Sequence, residues 1–490
     1  MTDDTLSRLA RAVLLPAFAG DTAPRWLLEE LERGLGGVTL FALNGNVSGT
    51  AELARLTADL RRVADPIVTI DEEGGDVTRL GGHRTASPYP GNAALGAVDD
   101  VELTRRVYRS LAAELAEVGV NLNFAPSVDV NAADDNPIIG VRAFGADPEL
   151  VARHAAAAVT GTQEAGVAAC AKHFPGHGAT VEDSHLGVPL VDADADLLER
   201  RELVPFRAAL KADVRAVMTG HLNVPALTGG EPATLSHAVI TGLLRGRLGF
   251  DGVVVTDALD MKGASGSIGI PEASVRALAA GADLLCLGPR EQEDTTRATV
   301  AAIVAAVRDG RLPAERLEDA AERGRALRAW LAGAPSAGTD RPAALEAARR
   351  ALTFSGELPD LPDPLVVELE APGNIAVGPT PWGLGPWASD MVRVDGEAAA
   401  PGPLLERAAG RGLVIVVRDA HRHAGQRRLV NALLAARPDA VLVEMGLPVW
   451  RPEGRLAYLA TYGATLANAR AAAELLGLAT ADAAGGGHGG

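Results

Sequence analysis

The chain has 490 residues, 47% hydrophobic and 3% aromatic, with 63 acidic against 46 basic side chains and a net charge of −17. That length exceeds one ordinary core and predicts two domains, while the hydrophobic content excludes a disordered chain. The negative balance argues against a nucleic-acid groove or an anionic membrane partner, since both need a positive field.

Residues 13–19 are apolar and follow Arg8 and Arg11, but the run is short, contains Pro16 and leads into an amphipathic stretch at 26–35. It reads as a first strand rather than a signal peptide. No run approaches the roughly 20 apolar residues of a membrane span, so a soluble, cytoplasmic protein is expected. Strand-like runs then occupy 12–16, 37–41, 66–71, 120–126, 167–174, 214–221, 252–257 and 282–288. Helical periodicity fills 101–118, 148–165, 193–212 and 236–248 between them, the last opened by Ser236 as a cap. This alternation predicts an α/β fold, an N-terminal (β/α)8 TIM barrel over 1–332. No GxGxxG follows an early strand, which weakens a doubly wound sheet. The two cysteines, Cys170 and Cys286, sit in apolar runs and read as buried free thiols, without a disulfide framework or zinc spacing.

Between 331 and 364 the pattern loosens into GAPSAGTDRPAA and GELPDLPDP, interrupted by a helix at 343–352. The linker is placed at 333–342. A smaller C-terminal α/β layered domain follows over 343–479, with strands at 364–370, 412–418 and 440–445 and helices at 424–436 and 465–476. The Gly/Ala-rich tail 480–490 is expected to be disordered.

Chemistry concentrates in KHFPGHGATVEDSHLGVP, residues 172–189, where Lys172, His173, His177, Glu182, Asp183 and His185 stand among glycines and prolines. Such a loop at the end of a buried strand is the usual site of chemistry in α/β folds. Other polar residues fall at successive strand ends: Asp71 and Glu72, Asp129 and Arg142, His221 and Asn223, and Asp257. A carboxylate such as Asp257 can attack an anomeric carbon, because an oxocarbenium-like transition state favours adjacent negative charge; a helix cap or polar strand terminus is the plainer alternative. Asp183 and His185, two apart, project to one side of an extended segment, where the aspartate raises the imidazole pKa and fixes its tautomer. Taken alone, a D-x-H is more commonly a solvated loop or a metal ligand. His177 reads as a brace of the loop, His221 and Asn223 as shaping the barrel mouth, and Asp260 as a helix-start residue rather than a catalytic one. The histidines lack ligand spacing, so no metal is expected.

Taken together, IDEEGGDVTRL (70–80), NFAPSVDVN (123–131), NPIIGVRAFG (136–145), KHFPGHG with DSH (172–185) and VVVTDALDM (253–261) resemble glycoside hydrolase family 3, in its β-N-acetylhexosaminidase branch. The resemblance implies Asp257 as nucleophile of a retaining double displacement, His185 as general acid/base and Asp183 as its orienting partner. It further implies that Asp71, Arg79, Arg142, Lys172 and His173 bind the terminal sugar. Two departures from the family pattern stand out: Ala179 where an acidic residue is common, and Arg142-Ala143-Phe144-Gly145 where R-S-F-G is usual.

The expected activity is exo-hydrolysis of β-linked N-acetylglucosamine from cell-wall or chitin-derived fragments, without a cofactor. The small carbohydrate is the expected partner, with neither nucleic acid nor membrane. A phosphorylase using the same residues is a rival, because a neutral imidazole repels phosphate less than a glutamate would. A non-catalytic sugar-binding protein is a second rival, and it predicts loss of a member of the Asp257, Asp183 and His185 set.

Overall fold

All eight apolar runs of the first part of the chain contain strands, because β-branched and small apolar residues in succession suit a strand covered on both faces. The strands are β1 (Leu14–Leu15), β2 (Gly37–Leu40), β3 (Ile67–Ile70), β4 (Leu122–Asn123), β5 (Ala168–Phe174), β6 (Ala216–Thr219), β7 (Val253–Thr256) and β8 (Leu285–Cys286). The computed structural model describes all residues except 82–87, 183–186, 267, 290–292, 372–375, 379–380, 455 and 479–490. The predicted tail therefore lies outside the described residues.

Strands β2 to β7 form one parallel sheet in sequence order, and β1 pairs with β8 in parallel. The sheet is curled. On alternate positions Ala168 and Cys170, Ala216 and Met218, and Val253 and Val255 point into one inner cluster with Leu15, Phe124 and Cys286. The intervening Ala169, Ala171, Val217 and Val254 pack outward, against the helices. Two-residue periodicity thus gives each strand one face for the enclosed core and one for the helical layer.

The helices at Val101–Glu117 and Pro148–Glu164 start where their sequences provide caps: Asp100 accepts from the backbone N–H of Glu102 and Leu103, and Asp147 from that of Glu149. The stretch expected as one helix over 193–212 is instead split into Ala195–Leu197, a π-helical turn Leu198–Glu202 and Leu203–Lys211. Pro205 lacks the N–H that would reach back four residues, which favours the break. Ser236 is not a side-chain cap: it is buried, and its carbonyl accepts from Val239 and Ile240 at the start of a π-helix, Ala238–Arg247. An N-terminal helix, Asp3–Ala12, capped by Thr2, escaped the sequence reading.

The second sheet has the order β11-β10-β12-β13-β14-β9, with β9 (Thr353–Ser355) antiparallel to β14 (Ala457–Ala460) and the other pairs parallel. The sequence located β10 (Leu365–Leu369), β12 (Leu413–Val417) and β13 (Val441–Glu444) but not β9, β14 or β11 (Asp390–Val394). The missed strands are the two edges and an alanine-rich neighbour, where the apolar signal is weakest. Helix Ala424–Ala436 covers one face through Leu429, Val430 and Leu433, and helix Leu466–Leu475 covers the other through Ala469, Ala472 and Ala473.

Helix Pro342–Ala351 serves both parts. Its Ala343, Ala344 and Ala347 join the core of the first, while Ala348 packs on Ala467 and Ala471 of the second. Buried Asp76 pairs with Arg418, and Arg79 donates to the carbonyls of Val377 (3.0 Å) and Ala376 (2.9 Å). These ties seat the second sheet domain beside the C-terminal ends of the parallel strands. Among the described residues no helix is long and apolar enough to cross a membrane.

Candidate active site

Asp71 directly follows β3, Lys172 and His173 occupy the last part of β5, and Asp257 directly follows β7. Arg142 ends a short 3-10 turn, Gly140–Arg142. All five side chains line one cavity of about 440 Å³, together with Arg79, His177 and Asp260 and with an apolar wall that includes Phe124, Met218 and Met261. That volume lies within the usual range for small-molecule sites.

The charged floor is an interlocked network. Lys172 Nζ lies 2.5 Å from Asp71 Oδ1 and 2.8 Å from Glu73 Oε1. Arg142 donates from Nε and Nη2 to the two oxygens of Glu73, at 2.9 and 2.7 Å, and from Nη1 to the carbonyl of Ile138. Burial pushes the Glu73 carboxyl up, but the Arg142 and Lys172 charges outweigh it and hold the group far below the usual carboxylate range. Burial disfavours the Lys172 ammonium, and Asp71 and Glu73 more than offset that. Both cations therefore stay charged in a nearly dry floor, pointing donors at a site suited to hydroxyl and carbonyl oxygens.

A second network holds the histidines. His173 Nδ1 is 2.7 Å from Asp129 Oδ2, and Asp129 Oδ1 accepts from the backbone N–H groups of His173 (3.2 Å) and His177 (2.7 Å). Burial pushes Asp129 up while His173 pulls it further down, so it remains a carboxylate. Asp129 thus fixes the His173 ring, with Nε2 turned to within 3.5 Å of Arg142. His177 is 1% exposed and joined through Nδ1 to Thr180; burial and the adjacent His173 push its pKa down to about 4. A neutral, buried imidazole suits the bracing role.

The Asp257 backbone N–H donates to the carbonyl of Thr219, and Asp257 Oδ1 accepts from the N–H of Ala258 at 2.7 Å. These bonds hold Asp257 where it lines the cavity. Asp183 and His185 lie outside the described residues. His221 bonds Thr234 and the carbonyl of Ala258, so it braces the backbone beside Asp257, while Asn223 bridges to Leu190 and Pro232 and joins those two segments. Glu72 accepts from the N–H groups of Arg79 and Leu80 and caps that turn, and Glu182 is exposed.

Sequence reasoning missed Glu73 and undervalued Asp129. Glu73 stands within the quoted IDEEGG segment, yet a run of acids does not reveal which one turns inward; its lack of a solvent-exposed role emerges only from the fold. Arg79 is held by carbonyls from far along the chain, which no local pattern announces.

The glycosyl hydrolase family 3 N-terminal domain matches residues 21–327. The chain belongs to glycosyl hydrolase family 3. The matched segment includes every described residue lining the cavity except Ala376, which the second sheet domain contributes. The chain is 38% identical over 302 residues to beta-hexosaminidase A of Pseudoalteromonas piscicida, covering 56% of this chain and 50% of that protein. Its match to the beta-hexosaminidase of Chromobacterium violaceum is 38% over 305 residues, 60% of this chain and 81% of the relative. The match thus spans half the length of the first of these relatives and most of the second. Among solved structures, a glycoside hydrolase family 3 beta-N-acetylglucosaminidase from Paenibacillus sp. str. FPU-7 superposes with a TM-score of 0.86 at 34% identity, covering 97% of each chain.

Proposed function

We propose that the chain is a retaining exo-β-N-acetylhexosaminidase that hydrolyses terminal β-linked N-acetylglucosamine from cell-wall or chitin-derived fragments. The observation that carries this reading is one cavity in which Asp257 faces a floor of Asp71, Lys172, Arg142 and His173, in a chain whose relatives are named beta-hexosaminidases.

In this reading Asp257 attacks the anomeric carbon while His185, charged and oriented by Asp183, protonates the departing oxygen. His185 then takes a proton from water, which displaces Asp257 and returns the sugar with retained configuration. Asp71, Lys172, Arg142 and His173 hold the hydroxyls and the acetamido group, and their bonds tighten as the ring flattens. Arg79, which the resemblance counts with these sugar-binding residues, also lines the cavity, but both its terminal nitrogens are tied to the second sheet domain, so its part is to fix the cavity edge there. The domain limits follow the sequence: a barrel over 1–332, a linker at 333–342 and a second domain over 343–479. Closure into a (β/α)8 barrel is supported by bonds from Thr39 N to Pro16 O and from Thr256 N to Leu284 O, which link β1 to β2 and β7 to β8.

The deciding experiment is product analysis on an N-acetyl-β-glucosaminide with and without added phosphate. Free sugar at a phosphate-independent rate is the expected result. Sugar 1-phosphate formed only with phosphate would make the protein a phosphorylase, and no turnover of the glycoside would overturn the reading.

A further inference from the structure

The chain contains three lysines, Lys172, Lys211 and Lys262, among its 46 Lys and Arg residues. Arginine supplies nearly every cation, yet two of the three lysines line the one cavity just described. Lys172 is buried and committed to Asp71 and Glu73. Lys262 is exposed and forms no ion pair among the described residues. It lines the same cavity five positions after Asp257 and is the more exposed of the two, so it belongs to the solvent-facing part of the wall.

Leu43 is the other exposed side chain on the cavity wall, 70% exposed. Its turn is firmly held. Asn44 and Asn46 both donate to the carbonyl of Phe18, Asn46 Oδ1 accepts from the N–H of Phe41, and Gly45 takes the left-handed conformation at φ 75° that closes the turn. A large apolar side chain is thus presented to solvent at the cavity mouth by an anchored support.

The buried cations Lys172 and Arg142 mark the inner end of the cavity, and Leu43 and Lys262 mark its outer end. In an exo-acting glycosidase the terminal sugar fills the inner end and the leaving group extends past the nucleophile towards the mouth. An anionic leaving group would approach a protein of net charge −17, and the other charged groups on the segment carrying Lys262 are the carboxylates Asp257 and Asp260. A compact ammonium at the mouth offsets that repulsion where the leaving group sits.

We propose that Leu43 and Lys262 form a leaving-group site selecting N-acetylglucosaminides whose aglycone carries an anionic oxygen group beside an apolar face. This rests on the hexosaminidase reading above. The test compares kcat/KM for two aryl N-acetyl-β-glucosaminides of matched leaving-group pKa, one bearing a ring carboxylate and one neutral, at low ionic strength. Wild type is expected to prefer the carboxylate by about three- to tenfold, with the ratio falling to about one in Lys262→Met, recovering in Lys262→Arg and shrinking at high salt. Leu43→Ser is expected to lower the preference for aryl over methyl glycosides by about threefold or more. An equal ratio in wild type and Lys262→Met overturns the proposal. So does acceleration by inorganic phosphate, with sugar 1-phosphate as product, that is lost in Lys262→Met, since the ammonium would then serve the attacking anion. If wild type hydrolyses neither aryl glycoside, the hexosaminidase reading itself fails, which is a separate outcome.

Discussion

Arg142 grips both carboxylate oxygens of Glu73, Nε at 2.9 Å and Nη2 at 2.7 Å, and both side chains are almost wholly buried. Lys172 lies against the same carboxylate. Two cations therefore depend on Glu73 to remain in the floor of the cavity, and without it Asp71 and Asp129 are the nearby carboxylates left to balance them among the described residues.

Glu73→Gln is expected to cost about 3–5 kcal/mol of stability, the usual consequence of breaking a buried ion pair from one side. It is also expected to lower kcat/KM by roughly tenfold or more as Arg142 and Lys172 lose their positions. Urea denaturation and steady-state kinetics check both, and a stability within about 0.5 kcal/mol of wild type would contradict the role. The pH sign follows from the depressed pKa: the contribution is present above the ordinary glutamate value of 4.5 and declines as pH falls below it.

Gly176, at φ 132°, follows β5 on the way to Asp183 and His185 in the sequence, and a Cβ there would fall 2.6 Å from Glu202 Oε2 and 2.9 Å from Glu202 Cβ. Gly176→Ala is expected to destabilise by about 1–3 kcal/mol through that clash and the left-handed backbone. Displacing the loop should lower kcat more than it raises KM. Wild-type kcat with an unshifted denaturation midpoint would show that the loop root yields freely.

The sequence made the strands legible where apolar residues run continuously, as in VVVT before Asp257, because a strand covered on both faces admits little else. The same strand placed Asp257 at its C-terminal end, but a helix cap or polar strand terminus reads alike there, so only the family resemblance implied its role. The edge strand Asp390–Val394 reads DMVRV and is half-exposed along its length, so its pattern does not separate it from a loop. Glu73 and Asp129 were unreadable as network centres because their partners, Arg142 and His173, arrive from other strand ends. The ties from Arg79 to Ala376 and Val377 and from Asp76 to Arg418 depend on how two domains dock, which no local pattern encodes.

Glu202 is 1% exposed; its Oε1 accepts from Arg201 at 2.6 Å, and burial pushes its pKa up to about 7, with Arg201 opposing and Asp129 adding to the shift. A raised carboxyl pKa means stability fully present below the ordinary value of 4.5 and lost as pH rises through about 7. Glu202→Gln removes this titration, so its stability is expected to be flatter between pH 5 and 8, the difference from wild type growing by roughly 2–4 kcal/mol across that window. Denaturation midpoints of both proteins across the window check this, and parallel curves would contradict it.

Asp257 is expected to act as the nucleophile of a retaining hydrolysis. A 5-fluoro N-acetylglucosaminyl donor with a good leaving group forms the glycosyl-enzyme quickly and hydrolyses it slowly, so the covalent species accumulates. Peptide mapping by mass spectrometry after this treatment is expected to place the sugar on Asp257, with no labelling of Asp257→Ala. A label on any other carboxylate, or stoichiometric labelling of Asp257→Ala, would contradict the account.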